Sequence, residues 1–295
     1  MELRNILLAT DFSASSENAQ AAAFTIAETF GAKLHVFHAL EVPLPIFEPF
    51  AVAVPEVFIG EVRKIAEEKL GSIVDAAASR GISASSELGA APAPAEIAEE
   101  ARRLNADLVL VGTEGHTGIQ HIVLGSVAEG TVKRAPCSVL AVRDPLDPPP
   151  ATIVVGTDFS PDAKAALQEA CDLADRLGSD LHLVHAAAAW PPLVGAYEIA
   201  VPTAYEDSFI REGERQMQEL ASTCQIKGEL TTKVISGAAP VVLCDVAEKL
   251  QSGLIIVGSH GRTGLKHLAL GSVAERTVRN APCSVWTMRS RPDAE

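Results

Sequence analysis

The residues best suited to chemistry lie in one glycine-rich stretch, GTEGHTGIQHIVLGS, from Gly112 to Ser126, directly after the apolar run ADLVLV. Glycine loses more backbone freedom on ordering than any other residue. Gly112, Gly115 and Gly118 therefore answer some need. The bland need is a tight turn. The sharper one is a backbone that must lie close against an anion such as phosphate. Gly112-x-x-Gly115 can turn successive backbone N–H groups into one concave face. Gly125-Ser126 then opens the next helix, whose unpaired N–H groups and positive dipole end favour a phosphate. The Ser126 hydroxyl would add a donor. Against that stands a purely structural reading, because Ser126-Val127-Ala128-Glu129 spells a helix capping box.

The same chemistry is written twice. GSHGRTGLKHLALGS, from Gly258 to Ser272, repeats the stretch with Gly258, Gly261, Gly271 and Ser272 in register and a second capping box to Glu275. Arg262 follows Gly261 and would favour an anion if its side chain reached one. The repeat extends well beyond the loop. ILLATDFS (6–13) returns as IVVGTDFS (153–160), and KLHVFHA (33–39) as DLHLVHA (180–186). VLGSVAEGTVKRAPCSV closes one half and ALGSVAERTVRNAPCSV the other, with the proline-rich linker DPLDPPP between them. Self-similarity on this scale predicts two homologous domains, 1–144 and 151–295.

The elements that must position these residues alternate strictly. In each half short β-branched runs (Asn5–Ala9, Thr152–Gly156) are apolar throughout, as in strands covered on both faces. A helix follows each, in the second half with Ser160 as N-cap and Pro161 at its first position. A second strand, a variable insert (Pro43–Pro55, Trp190–Thr203), a long helix, a third strand, a short helix and the strand before the glycine loop come next. A last helix and a last strand complete each half. Such alternation predicts an α/β fold, a doubly wound five-stranded parallel sheet in each domain. Ligands of these sheets sit outside the carboxyl ends of the strands, where strand order reverses. Asp11 and Asp158 follow strand one and the glycine loops follow strand four, so both motifs reach the same rim.

Bulk properties narrow the partners. Of 295 residues 47% are apolar, enough for two cores, and a net charge of −14 without a basic cluster argues against nucleic acid or an anionic membrane. The N-terminus lacks the layout of a signal peptide and no apolar run has transmembrane length. The five cysteines, Cys137, Cys171, Cys224, Cys244 and Cys283, show no CxxC spacing. Reduced buried thiols in a cytoplasmic protein are expected, with neither a disulfide framework nor a zinc site. His35/His38 and His182/His185 stand at i, i+3 on strands and so face opposite ways, which disfavours a shared metal.

The loop is not a P-loop, since no Gly-Lys-Ser/Thr follows the glycines, and not a dinucleotide fingerprint, which belongs after strand one. The constellation resembles the universal stress protein family: a Thr-Asp after strand one and G-x2-G-x9-G-S after strand four, in both halves and across nearly the whole chain. The resemblance implies strand order 3-2-1-4-5 and one ATP per domain. It places Asp11 and Asp158 near the nucleotide and Ala39 and Ala186 where strand two meets adenine. A carboxylate cannot sit bare against a triphosphate, so Mg2+ bound through the phosphates, ribose hydroxyls or water should mediate. That strand order leaves the β-prone last strands at sheet edges, where pairing them would give an internal pseudo-dimer. One departure matters: Thr113-Glu114 sets a carboxylate beside the first phosphate site, whereas Ser259-His260 fits the pattern.

The expected function is an ATP-binding stress-response regulator with an unidentified protein partner, compatible with a homo-oligomer. The alternatives are a slow ATP hydrolase or nucleotidyl-transfer enzyme of the same class, and a scaffold whose sites are vestigial. No catalytic residue stands out, because no nucleophile with an adjacent base and no cationic cluster appears at the rim.

Overall fold

The computed structural model describes residues 1–40, 46–47, 50–51, 56–90, 92–114, 124–146, 148–187, 203–260 and 270–289. The chain divides into two compact units, one holding 2–119 and 125–145, the other 146–295 with residues 1 and 120–124. In the first, β1 (Asn5–Ala9), α1 (Ala14–Phe30), β2 (Lys33–Leu40), α2 (Glu56–Ser79), β5 (Ala84–Ala90), α3 (Ala93–Arg103), β6 (Leu108–Gly112), α4 (Ser126–Arg134) and β7 (Ser138–Val142) alternate. Two short strands, β3 (Ile46–Phe47) and β4 (Phe50–Ala51), pair antiparallel within the first insert. The second unit repeats the plan with β8 (Thr152–Gly156), α5 (Pro161–Leu177), β9 (Asp180–Ala187), α6 (Thr203–Ala221), β10 (Leu230–Ser236), α7 (Ala239–Leu250), β11 (Leu254–Gly258), α8 (Ser272–Asn280) and β12 (Ser284–Met288).

All pairings in each five-stranded sheet are parallel. The first unit runs β5-β2-β1-β6-β7 and the second β10-β9-β8-β11-β12, which is order 3-2-1-4-5 in both. The central strands are the most buried: Ile6, Leu7 and Leu8 of β1 and Leu108, Val109 and Leu110 of β6 have no exposed surface. Helices cover both sheet faces, so an unbroken aliphatic run is the sequence such a strand requires. By contrast the edge strands β5 (ASSELGA) and β10 (LTTKVIS) are polar and largely open, with Glu87 and Lys233 exposed, which discourages edge-on association.

Caps fix the helices that leave the first strands. Ser13 accepts a hydrogen bond from the Ser16 N–H (3.3 Å) and Ser160 one from the Ala163 N–H (3.1 Å), with Pro161 at the first helical position as predicted. Gly31 and Gly178 end these helices at φ 63° and 72°, a left-handed turn that a Cβ would strain. The cysteine expectation needs correction. Cys171 and Cys224 form a disulfide with Cα atoms 6.5 Å apart, while Cys137, Cys244 and Cys283 keep their thiols. A bond between residues 53 apart in sequence leaves no local spacing signal; α5 and the turn after α6 bring the pair together. Among the described residues no helix is long and apolar enough to cross a membrane.

Candidate functional site

A cleft of about 300 Å³ opens at the carboxyl rim of the second sheet, between β8 and β11. This is where strand order reverses, and the volume is at the low end for small-molecule sites. Five of the sequence candidates line it: Asp158, Ala186, Gly258, Gly271 and Ser272. Gly261 and Arg262 lie outside the described residues, as does Gly115 of the first unit. The same holds for His121 and His267 and for most of the two inserts.

The strand-one turn repeats its main bonds in both units. Thr10 N–H donates to Phe37 O (2.9 Å) and Thr157 N–H to Val184 O (3.0 Å), extending the sheet by one residue. The Thr10 and Thr157 hydroxyls then accept from the N–H of Phe12 (3.0 Å) and Phe159 (3.1 Å). Both phenylalanines have positive φ, 62° and 65°, a conformation L side chains rarely adopt. Each ring lies 4.4 Å from a histidine ring, Phe12 on His38 and Phe159 on His185. Those histidines in turn bond through Nδ1 to the carbonyls of Thr10 and Thr157, both at 2.8 Å. His38 and His185 thus clamp a strained turn. His35 and His182 point the other way, to Ser85 and Thr231, as the i, i+3 spacing requires. The turn aims Asp11 and Asp158 at the rim, where Oδ1 of each accepts the N–H of the serine two residues on (3.0 Å). The serine, not the aspartate, caps the helix.

The glycine loops are anchored at both described ends. Thr113 N–H donates to Val142 O (3.0 Å) and Gly125 N–H to Thr113 O (2.8 Å); Ser259 N–H donates to Met288 O and Gly271 N–H to Ser259 O, both at 2.7 Å. These bonds pin Gly125 and Gly271 in extended conformation (ψ 145° and 148°) as the N-caps, so α4 and α8 start at Ser126 and Ser272. Neither helix has a side-chain cap bond. The capping-box reading of Ser126 and Ser272 is therefore corrected: a box needs its serine at the N-cap, and glycine holds that place. Helix geometry leaves the N–H groups of Ser272, Val273 and Ala274 without an intrahelical acceptor, and all three residues line the cleft.

Sequence reasoning missed part of the wall. Ala239 and Leu243 of α7 and Val184 of β9 give the cleft an apolar side, and Ala163 of α5 closes it. Three helices, α5, α7 and α8, thus present their first turns to one cavity, and their dipoles make it attractive to anions despite the acidic chain. Position in the repeat was the available signal for α7, because Ala-Pro opens both α3 and α7. Among the described residues no group of three His, Cys, Asp or Glu side chains is placed to hold a metal.

Glu114 does not lie open beside the first loop. Its carboxylate pairs with Arg143 at 3.8 Å and its backbone N–H donates to Ser15 Oγ (3.1 Å). Comparison with known proteins agrees with the doubled architecture. The model of the universal stress protein family matches residues 2–143 and again 151–289. The chain belongs to the universal stress protein family. A universal stress protein of Mycobacterium tuberculosis, Rv2005c, is 30% identical over 239 residues, covering 77% of this chain and 74% of that one. Another from Methanocaldococcus jannaschii, MJ0531, is 33% identical over 141 residues, or 46% of this chain and 81% of that one. Among solved structures, a universal stress protein of Archaeoglobus fulgidus superposes with TM-score 0.69 at 22% identity over 100% of this chain and 98% of that one. At that identity the likeness speaks for the fold alone.

Proposed function

We propose that this universal stress protein is an ATP-binding regulator with one nucleotide site per unit at the carboxyl rim of each sheet. The observation that carries the reading is the convergence of Asp158, Ala186, Gly258, Gly271 and Ser272 on one cleft, with the unpaired N–H groups of α8 at its edge. The apolar side, from Val184 and Ala186 to Leu243, suits a purine face. The first turn of α8 suits phosphate oxygens. Binding then rests on backbone amides, because His260 is the one ring or cationic side chain among the described lining residues.

Mg2+ fits only through the phosphates. Asp158 is the single carboxylate among the described lining residues, and an ion that prefers six oxygens would take the rest from phosphate and water. Phosphoryl transfer needs cations or a water-positioning base at the transferring group. The described wall offers only His260 and Asp158 for those roles, so regulation through the bound state is favoured over turnover. We further propose that the units act as separate domains, 1–144 and 151–295, in a cytoplasmic protein whose nucleotide state governs contacts with a protein partner.

The test is direct. Protein purified without added nucleotide and then denatured should release ATP or ADP, and calorimetric titration of stripped protein should detect ATP binding. Protein that releases none and gives no heat with ATP and Mg2+ would leave the cleft without its assigned ligand.

A further inference from the structure

Cys171 and Cys224 join α5 to the turn after α6. Cys171 of α5 answers to the buried Phe24 of α1 in the first unit, whereas Cys224, beyond the end of α6, has no counterpart inside α2. There the junction is held by packing and charge: the Arg80 guanidinium lies 5.3 Å from the Phe24 ring centre and forks onto the Glu28 carboxylate at 2.6 and 2.9 Å. The second unit holds the junction with other hydrogen bonds besides the disulfide. Lys227 N–H donates to Asp175 Oδ1 (2.6 Å), and the Gln168 amide reaches Thr223 O (3.2 Å) and Oγ1 (3.3 Å).

Two consequences follow from this substitution. The first unit builds the same junction with no covalent bond, so the fold does not depend on one. The flanking hydrogen bonds of Gln168 and Asp175 would also hold the two thiols in register when the bond opens. Access is asymmetric: Cys171 is 3% exposed, whereas Cys224, just past the end of α6, is only partly buried. An incoming thiolate therefore meets Cys224 first.

We propose that Cys171–Cys224 is a reversible redox clasp confined to the second unit, opened by small-molecule thiols and closed by small-molecule disulfides. In opening, a thiolate RS⁻ attacks Cys224 Sγ; the S–S bond breaks and Cys171 leaves as a thiolate that takes up a proton. A second RS⁻ attacks the sulfur of the mixed disulfide, releasing RSSR and Cys224 as a thiolate, which is protonated in turn. Two RSH are oxidised to RSSR and one cystine is reduced to two thiols, so atoms and electrons balance. Closure is the reverse, with RSSR as oxidant. Opening leaves two thiols where the first unit has a phenyl ring, and the end of α6 loosens against α5.

The experiment uses the full chain. Native protein is equilibrated with reduced or oxidised glutathione, quenched with iodoacetamide and digested for mass spectrometry. The expected result is a linked Cys171/Cys224 peptide pair in the oxidised buffer, two alkylated cysteines in the reduced one, and relinking on return. Reduction should raise hydrogen exchange at the end of α6 but not at the end of α2, and should lower the thermal midpoint by ~10 °C. Cys171→Phe with Cys224→Ala, which gives position 171 the first unit's residue and removes the second thiol, should make the midpoint insensitive to reductant. If that variant does not fold, Cys171→Ala with Cys224→Ala reports the same insensitivity. No linked pair in the oxidised buffer, or a linkage that reduces only after denaturant is added, overturns the proposal.

Discussion

The two rims share a backbone and differ in how tightly the first helix closes on the glycine loop. In the first unit a Cβ on Gly112 would lie 2.6 Å from Ser15 Oγ and 2.8 Å from the Ser15 backbone, and Ser15 Oγ already accepts the Glu114 N–H. In the second, Asp162 replaces Ser15, and a Cβ on Gly258 would meet nothing nearer than His260 O at 3.3 Å, with the α5 backbone at 3.7 Å. The repeat has thus kept the scaffold while assigning one loop amide in the first unit to an internal bond. Glycine at position 112 is needed for helix approach; at 258 the same glycine leaves space beside a cleft. One residue type at one repeat position therefore has two physical reasons.

The largest expected effect tests whether the units bind independently. Gly271 is the N-cap of α8 and lines the cleft, so Gly271→Val should weaken ATP binding in the second unit by a hundredfold or more, ~2.7 kcal/mol. Gly125→Val should do the same in the first. Calorimetric stoichiometry of the full chain should fall from two to one in either variant, with the circular dichroism unchanged. A single site in the unmodified protein would break the symmetry assumed here.

Next comes packing. Gly112→Ala forces a methyl into the Ser15 backbone, which cannot move without shifting α1, and should cost ~1–3 kcal/mol. Gly258→Ala needs only a slight shift of His260 O and should cost well under ~1 kcal/mol. Denaturant midpoints of the two variants measure the difference; equal losses would show that α1 and α5 approach their loops equally.

Much of this comparison was legible in the sequence, for identifiable reasons. The strands read clearly because β1, β6, β8 and β11 are unbroken aliphatic runs, and the doubling made each element readable twice. Ser160-Pro161 gave a helix start to the residue. The serines at 126 and 272 misled because S-x-x-E is a local pattern, whereas the hydrogen bond that pins the preceding glycine comes from the end of the neighbouring strand. Leu243 and Ala239 were invisible for the same cause: only sheet order places α7 beside β8. Likewise the Cys171–Cys224 pair could not be seen, since its partners meet through the packing of α5 on the turn after α6.

A smaller effect concerns the loop charges. In sequence, Glu114 sets a carboxylate beside the first phosphate site, and one extra negative charge there would weaken phosphate binding. The Arg143 guanidinium, 3.8 Å from the Glu114 carboxylate, offsets part of that charge. The Ser15–Glu114 bond removes one N–H that an anion would use. Ser15→Ala, freeing that amide, should raise first-unit affinity by about fivefold, ~1 kcal/mol for one hydrogen bond. Glu114→His should raise it less. Titrations in the Gly271→Val background isolate the first unit. A larger gain from Glu114→His than from Ser15→Ala would make charge, not amide competition, the source of the asymmetry.

The smallest expected effect uses His35 and His182, which occupy the same place on β2 and β9 but face different charges. Burial is the main cause that lowers the pKa of each below the ordinary imidazole value. At His35 the Glu100 carboxylate works against that shift while Arg103 and Lys33 add to it; at His182 Lys233 adds and Asp180 and Glu229 oppose. A histidine whose folded pKa is lowered binds fewer protons when folded than when unfolded. Its contribution to stability is therefore full above the unfolded value near 6.5 and is lost as pH falls through the interval down to the folded value. Both units should lose a little stability between neutral and mildly acid solution. Salt separates the causes, because screening weakens Lys233 and Glu100 but leaves burial untouched. NMR titration of the two imidazoles at low and high salt should find both still lowered at high salt, with their values drawn closer together. A shift that disappears with salt at His182 would assign it to Lys233 instead, and would make the edge-strand charge, rather than the shared sheet position, the feature that sets this histidine.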